Sequence, residues 1–120
     1  MLVNNVGTLG PHWMPFLELE EHNVKEIINI NVLSGTMLIH FVLPGMVQKR
    51  KGAIINISSA CSAFPVPYLA TYSATKSFIA AFTNAISAEY RDRYKLLTKR
   101  YSNKYIFIKP KLNILIMSKQ

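Results

Sequence analysis

The apolar residues in the first part of the chain change their spacing from one segment to the next. Residues 2–7 (LVNNVG) begin with apolar side chains and end at a glycine, which is typical of the end of a strand. Residues 8–16 are interrupted by glycine and proline and predict a loop. From Leu17 to Lys49 apolar residues recur every three or four positions, which predicts a long helix.

A second strand and a second helix follow in the same order. Residues 53–58 (AIINIS) form a short β-branched run after Gly52, as buried parallel strands do. Residues 58–67 are small and rich in turn formers, and a helix is predicted from Tyr68 to about Tyr90. The alternation of strand, loop and helix predicts an α/β fold, in which a parallel sheet carries helices on its faces.

The first predicted helix contains signals for its own end. Pro44 and Gly45 are expected to weaken its last turns. The three cations at 49–51 suit a helix C-terminus, and Gly52 is expected to stop the helix. The stretch from Ile30 to Val47 is long enough to suggest a transmembrane segment, but it contains polar and helix-breaking residues. We interpret it as a buried helix of a soluble α/β domain.

Charge is concentrated at the end of the chain. The net charge is +8, and residues 1–90 carry equal numbers of basic and acidic side chains, so residues 91–120 hold the whole excess. A basic tail can bind nucleic acid or anionic lipid, or can be a solvated, poorly ordered end. We favour the second alternative and expect no nucleic-acid partner. Within this tail, residues 104–110 and 112–117 have the composition of strands.

Cysteine and histidine usage excludes two classes of site. Cys61 is the single cysteine of the chain, so it cannot form an internal disulfide. The three histidines share no metal-ligand spacing, and we predict no metal site.

Met1 is followed directly by the first strand, without the basic and apolar regions of a signal peptide.

The candidate chemistry is centred on Tyr72 and Lys76. Four residues apart, they share one face of the predicted second helix. A free tyrosine is a poor acid or base at neutral pH, but a neighbouring ammonium would stabilise its phenolate and lower its pKa. Such a pair could exchange a proton with a carbonyl or alcohol oxygen.

Three further features accompany this pair in chain order. Ser59 follows the second strand, and its hydroxyl could bond the same substrate oxygen. Asn31 lies inside the first helix, and the segment Asn4-Asn5-Val6-Gly7 ends the first strand, where α/β sheets gather their ligands. Together these residues resemble the short-chain dehydrogenase/reductase family, over residues 2–93. Residues 42–59 and 65–78 are similar to the branch that holds 17β-hydroxysteroid dehydrogenase type 12, the very-long-chain 3-oxoacyl-CoA reductase, together with type 3 and the hydroxysteroid dehydrogenase-like proteins.

The resemblance implies a role for each residue. Tyr72 would protonate the carbonyl oxygen while NADPH supplies a hydride, and Ser59 would hold that oxygen. Lys76 would bind the nicotinamide ribose, and Asn31 would hold a water that connects Lys76 with solvent. Cofactor-binding residues would be Asn4, Asn5, Gly7, Tyr72 and Lys76.

The chain also departs from the family pattern. Its 120 residues contain no Thr-Gly-x-x-x-Gly-x-Gly turn, so we expect a fragment of a Rossmann-type, doubly wound sheet without its N-terminal cofactor-binding strands and its C-terminal part. We expect residues 1–93 to be the central part of the domain and residues 94–120 to be a divergent tail. We expect the chain as written not to be a working enzyme by itself, although its site residues indicate the function of the parent enzyme.

The branch resemblance implies a substrate, a partner and a location. The parent enzyme would reduce a 3-oxoacyl-CoA or a 17-oxosteroid with NADPH at the endoplasmic reticulum membrane. This chain lacks the branch's membrane anchor, so it would be cytoplasmic or elsewhere. The alternative is an inactive isoform that binds a full-length subunit, or a second copy, through the two long helices.

Two local motifs offer competing interpretations. Ser73 and Lys76 form a Ser-x-x-Lys pattern, but the companion motifs of penicillin-binding enzymes are absent. Asn56-Ile57-Ser58 has the spacing of a glycosylation site, which a buried strand end would not present.

Overall fold

Three parallel strands form the sheet of this protein, described in a computed structural model that covers residues 1–94 and 96–101. The strands are β1 (Leu2–Asn4), β2 (Gly52–Ile57) and β3 (Leu96–Tyr101), in the order β1-β2-β3. Leu2 pairs with Ile54, and Gly52 pairs with Leu96, both in parallel register. The predicted α/β fold with a parallel sheet is confirmed.

One long helix with an irregular middle lies between β1 and β2. It consists of α1 (Glu21–Ile28), a π-helical turn (Asn29–Leu33) and α2 (Ser34–Gln48). A short 3-10 turn at Phe16–Glu18 precedes it, so the helix begins four residues later than the apolar spacing predicted. Pro44 lies inside α2 without ending it.

The helix ends earlier than the glycine signal predicted. The N–H groups of Arg50 and Lys51 donate to the carbonyls of Val47 and Met46, at 3.0 and 3.1 Å, which is the Schellman arrangement. Arg50 takes the left-handed position with φ 48°, where glycine is the usual residue. Gly52, which was predicted to stop the helix, is instead the first residue of β2.

Replacing Arg50 by glycine is expected to stabilise the chain. Glycine removes the Cβ that opposes a positive φ, so Arg50→Gly should raise the free energy of unfolding by about 0.5–1 kcal/mol. Lys49→Gly is the matched control, because Lys49 has an ordinary φ of −78° and glycine there brings only backbone entropy. Urea unfolding of both variants checks this, and equal effects at the two positions would contradict it.

The core lies between the sheet and the two long helices. Ile39 and Leu43 of α2 are buried against Ile54 of β2, with Phe82 and Tyr90 of α3 (Ala70–Tyr94) packed around them. Outward faces of the helices stay apolar, and the Phe41 side chain is 84% exposed. The run from Ile30 to Val47, predicted to be buried, is therefore helical but largely exposed.

Length and composition alone would allow the continuous helix Glu21–Gln48 to cross a membrane. Only 17% of its most apolar window is buried in the protein. The same helix also contributes Ile39 and Leu43 to the core, so it is at once a core element and an apolar surface.

The sheet extends beyond the predicted boundary at residues 93/94. Helix α3 runs to Tyr94, four residues past its predicted end, and β3 pairs with β2 along its whole length. The division at this boundary stays a prediction. The two strands predicted within residues 104–117 lie outside the described residues.

Candidate active site

Lys76 is the most unusual residue of the candidate site. Its side chain projects from α3 into the protein and is only 6% exposed. Nζ donates one hydrogen bond of 3.3 Å, to the carbonyl of Ile57 at the end of β2. Burial disfavours the charged ammonium and lowers the pKa of Lys76 below its ordinary value of 10.5. A buried ammonium with unspent donors is costly, which is typical of a functional site.

Asn31 lies in the π-helical turn, and both the oxygen and the nitrogen of its amide make hydrogen bonds. Oδ1 accepts the N–H of Thr8 at 2.7 Å, while Nδ2 donates to the carbonyl of Thr8 at 2.8 Å and to Oγ1 of Thr75 at 3.0 Å. The side chain therefore fastens the loop after β1 to α3. A π turn misaligns the helical backbone bonds, and such turns are frequent at functional sites.

Loss of the Asn31 amide is expected to destabilise the chain. Asn31→Ala would leave three partner groups without their bonds in a position that is 4% exposed, at a cost of about 2–3 kcal/mol. Asn29→Ala is the matched control, because Asn29 belongs to the same π turn but is exposed. Thermal unfolding of the two variants measures the difference, and a similar melting temperature for both would exclude this role of Asn31.

Tyr72 lies one turn before Lys76, as the i, i+4 spacing predicted. Nζ of Lys76 is 5.6 Å from the centroid of the Tyr72 ring. The backbone carbonyl of Tyr72 accepts the hydroxyl of Thr75 at 2.7 Å, and Thr75 in turn receives the Asn31 amide. Thr75 thus connects two of the predicted catalytic residues through its own hydroxyl.

Ser59 begins the turn that follows β2. Its hydroxyl oxygen accepts the N–H of Cys61 at 3.2 Å, which caps a 3-10 turn at Ala60–Ser62. This bond uses a lone pair of the oxygen and leaves the O–H free to donate. The neighbouring Ser58 hydroxyl donates to the carbonyl of Lys76 at 2.9 Å and so ties this turn to α3.

The residues of the strand-end segment 4–7 contribute unequally to the candidate site. A Cβ added at Gly7 would lie 3.1 Å from Nζ of Lys76 and 3.4 Å from Oδ1 of Asn31, so a larger residue would crowd both. Asn4 points into the protein and donates to Oδ1 of Asn56 at 2.8 Å. Asn5 is exposed.

The structure argues against both competing motifs, the glycosylation site at Asn56 and the Ser-x-x-Lys pattern at Ser73. Asn56 is 2% exposed, and its Nδ2 donates to Oγ1 of Thr83 at 2.9 Å, so its amide is not available to a glycosyltransferase. The buried Ser73 hydroxyl accepts the N–H of Val66 at 3.3 Å and serves the turn before α3. Both side chains are only 2% exposed, so neither is presented at the surface as its motif would require.

Sequence reasoning missed Thr75, Thr8 and the pair of Asn56 with Thr83. Thr75 precedes Lys76 and stands three residues after Tyr72, where a hydroxyl can reach back to a helix carbonyl. That spacing was a usable signal. The Asn56–Thr83 bond joins residues 27 apart in the chain, and no local pattern indicates it.

One end of a nicotinamide dinucleotide site fits these residues. A buried ammonium beside a glycine, with only one described hydrogen bond, can receive the ribose hydroxyls of such a cofactor. Within the described residues, no group of three or more His, Cys, Asp and Glu side chains is placed to hold a metal ion.

Comparison with known proteins finds relatives in sequence and in structure. The profile of the family described as short chain dehydrogenase matches residues 1–94. The chain is 46% identical over 95 residues to very-long-chain 3-oxoacyl-CoA reductase of Macaca fascicularis, which covers 78% of this chain and 30% of that protein. It is 42% identical over 93 residues to inactive hydroxysteroid dehydrogenase-like protein 1 of Homo sapiens, covering 78% and 28%. The chain thus spans under a third of the length of these relatives.

Solved structures show the same fold. A 3-oxoacyl-[acyl-carrier protein] reductase with bound NAD from Brucella melitensis superposes with a TM-score of 0.77 at 28% identity, over 83% of this chain and 39% of that one. ElxO with NADP bound gives a TM-score of 0.78 at 25% identity, over 84% and 40%.

Proposed function

Because this chain belongs to the short-chain dehydrogenase family, we propose that it forms the proton-transfer half of a carbonyl reductase that uses a nicotinamide dinucleotide. The observation that carries the proposal is the buried Lys76 ammonium, which lies beside both Gly7 and Asn31 and faces the ring of Tyr72. A protein has little reason to bury an ammonium in this way unless the charge acts on a ligand or on a neighbouring group.

We propose a 3-oxoacyl-CoA or a 17-oxosteroid as substrate of the full-length protein, and NADPH as its cofactor. The similarity to very-long-chain 3-oxoacyl-CoA reductase over 95 residues supports the first substrate. The similarity to hydroxysteroid dehydrogenase-like protein 1 supports the second. The branch resemblance also implies the endoplasmic reticulum membrane, which imaging of the tagged full-length protein would test.

The chain's own residues would act on the substrate oxygen. The bound dinucleotide would supply the hydride that reduces the carbonyl carbon. The O–H of Ser59 would donate to the carbonyl oxygen and hold it in place, since only its lone pair is used by Cys61. The phenol of Tyr72 would give its proton to that oxygen, which becomes the hydroxyl of the product.

Lys76 and Asn31 would support this transfer. The Lys76 ammonium would hold the ribose hydroxyls and stabilise the negative charge that develops on the phenol oxygen. Asn31 would keep the loop after β1 against α3, so that Gly7 stays beside Lys76. In this arrangement the Asn31 side chain positions other groups and does not touch the substrate.

A segment exchange tests the proposal. Residues 1–94 of this chain would replace the matching segment of the Macaca fascicularis reductase, which supplies the remainder of the domain. We expect NADPH-dependent reduction of a 3-oxoacyl-CoA within about tenfold of the parent rate, since 46% of the exchanged positions are identical. A chimera that folds and binds NADPH but reduces nothing would overturn the proposal.

We propose as the second candidate a non-catalytic subunit that binds a full-length one. It is favoured by the apolar outer face of the long helix, where Leu33 at the end of the π turn and Met37 and Phe41 of α2 follow at helical spacing and are all exposed. Co-expression with the full-length protein and size-exclusion chromatography test it. Recovery of the chain in a mixed dimer would support this candidate, and separate elution would exclude it.

A further inference from the structure

The hydroxyl of Thr75 faces Asn31 with a lone pair and not with its proton. Thr75 lies in α3 and is only 4% exposed. Its Oγ1 donates to the carbonyl of Tyr72 at 2.7 Å, so the single proton of the hydroxyl is used within the helix. Toward Asn31 the oxygen can therefore only accept, and it receives Nδ2 at 3.0 Å. Thr75 thus determines which end of the Asn31 amide faces α3.

The opposite end of the Asn31 amide is selected by a backbone group. The N–H of Thr8 can only donate, and it donates to Oδ1 of Asn31 at 2.7 Å. A Cβ built on Gly7 would lie 3.4 Å from this oxygen and 3.1 Å from Nζ of Lys76, so both atoms flank the same point of the backbone. A reversed amide would bring its NH₂ group against the N–H of Thr8 and toward the ammonium. The observed orientation instead places a partial negative charge on the side of the ammonium.

Lys76 is fixed separately on the side of β2. Its Nζ donates to the carbonyl of Ile57 at 3.3 Å, and the Ser58 hydroxyl donates to its backbone carbonyl at 2.9 Å. These two bonds do not involve the hydroxyl of Thr75. The bond from Asn31 to Thr75 instead joins α3 to the loop after β1, so it acts on what surrounds the ammonium and not on the lysine itself.

We propose that Thr75 is a positioning residue of the candidate site, because its hydroxyl fixes the orientation of the Asn31 amide. Through that amide it holds Gly7 and the Asn31 oxygen beside the Lys76 ammonium. The proposal rests on the proposed function, in which this ammonium receives the ribose of the dinucleotide and supports Tyr72. Thr75 acts through Asn31 and is not itself a catalytic residue.

Thr83 offers a matched control on the same helix. It is 2% exposed, its Oγ1 donates to the carbonyl of Ile79 at 2.6 Å, and the same oxygen accepts Nδ2 of Asn56 at 2.9 Å. Thr75→Val and Thr83→Val therefore remove the same pair of bonds, at positions about 12 Å apart along the helix. Both substitutions should lower the melting temperature, so that measurement alone does not separate positioning from packing.

Hydrogen exchange in the 120-residue chain tests the effect on the loop after β1. Without the Thr75 hydroxyl, the Asn31 amide keeps its bonds to Thr8 but loses its bond to α3. The N–H of Thr8 should then exchange about tenfold faster in Thr75→Val, because local opening of the loop becomes easier. Thr75→Ser retains a hydroxyl and should restore the protection, and Thr83→Val should leave it unchanged. Thr75→Ala, which adds no bulk, takes the place of Thr75→Val if valine prevents folding.

The segment-exchange chimera tests the effect on the reaction. Thr75→Val should raise KM for NADPH about fivefold and lower kcat about tenfold, because the loop beside the ammonium is no longer held in place. Thr75→Ser should bring both constants back to within about twofold of the unsubstituted chimera. Thr83→Val should change neither constant by more than about twofold, at a temperature where every variant is folded.

Three outcomes would overturn the proposal. They are equal kinetic constants for Thr75→Val and Thr83→Val in an active chimera, a Thr75→Ser variant as impaired as Thr75→Val, and an unchanged exchange rate of the Thr8 N–H in Thr75→Val. Failure of the proposed function is distinguishable, because the unsubstituted chimera would then reduce no carbonyl. The exchange of the Thr8 N–H would still separate Thr75→Val from Thr83→Val in that case.

Discussion

Tyr72→Phe in the segment-exchange chimera is expected to lower kcat by about 10²–10⁴-fold, the usual contribution of a positioned general acid. The substitution removes only the phenol oxygen and keeps the ring that lies beside the Lys76 ammonium. Binding of NADPH should therefore stay close to that of the unsubstituted chimera. Steady-state kinetics together with cofactor titration separates the loss of proton transfer from a loss of binding.

Cofactor binding by the Tyr72→Phe chimera serves as the control for its kcat. If Tyr72→Phe lowered cofactor binding as much as turnover, the phenol would act in packing and not in proton transfer. A chimera whose kcat falls by less than about twofold would place the acid elsewhere in the site.

Lys76→Met is expected to have opposite effects on stability and on activity. Methionine has a similar length without the charge, so the variant no longer buries an ammonium and should gain about 1–3 kcal/mol of unfolding free energy at neutral pH. Reduction by the chimera should fall by about 10²-fold or more, since the charge beside Tyr72 and the ribose donors are lost together. Urea unfolding of the 120-residue chain and kinetics of the chimera measure the two effects.

The pH dependence gives this prediction a definite sign. Burial lowers the pKa of Lys76 in the folded chain, whereas the unfolded chain keeps the ordinary value of 10.5. Between these two values the unfolded chain binds more protons, so the stability of the unsubstituted chain should rise with pH in that window. Below the lowered value both states are protonated, and the burial penalty is fully present.

The Lys76→Met variant should lack this alkaline rise. Lys25→Met is a suitable control, because Lys25 is exposed and pairs with Glu21 on the surface of α1. A parallel rise in Lys76→Met and in the unsubstituted chain would mean that another group titrates in the window. A loss of stability in Lys76→Met would show that the ammonium contributes more through its bond to Ile57 than burial costs.

Residues close in sequence were the part of the site that could be predicted. Tyr72 and Lys76 share a helix face because 3.6 residues complete a turn, so their proximity follows from their spacing. Ser59 was placed by the strand that precedes it, since parallel strands end at one edge of the sheet. The parallel pairing of Leu2 with Ile54 follows from the same alternation of strand and helix.

Features that depend on distant contacts could not be predicted. The role of Asn31 depends on Thr8 and Thr75, which lie 23 and 44 residues away in the chain. The left-handed position at Arg50 carries none of the residues that normally announce it, so Gly52 was a misleading signal. The concave surface beside Tyr72 is lined by the loop after β1, by Ile27 of α1 and by the start of α3, and no single periodic pattern joins these segments.

Because of the π-helical turn, the residues before it and after it do not follow one regular helical period. Regular α-helix advances 100° per residue, so one residue more or less rotates everything beyond it by about that angle. Ile27 before the turn and Ile39 after it are both buried, although they pack in different places. If one residue of Asn29–Leu33 were deleted, Ile27 or Ile39 could stay buried, but the other of the two would turn toward water. The length of this segment is therefore fixed to the residue, even though Asn31 is the one buried residue among its five.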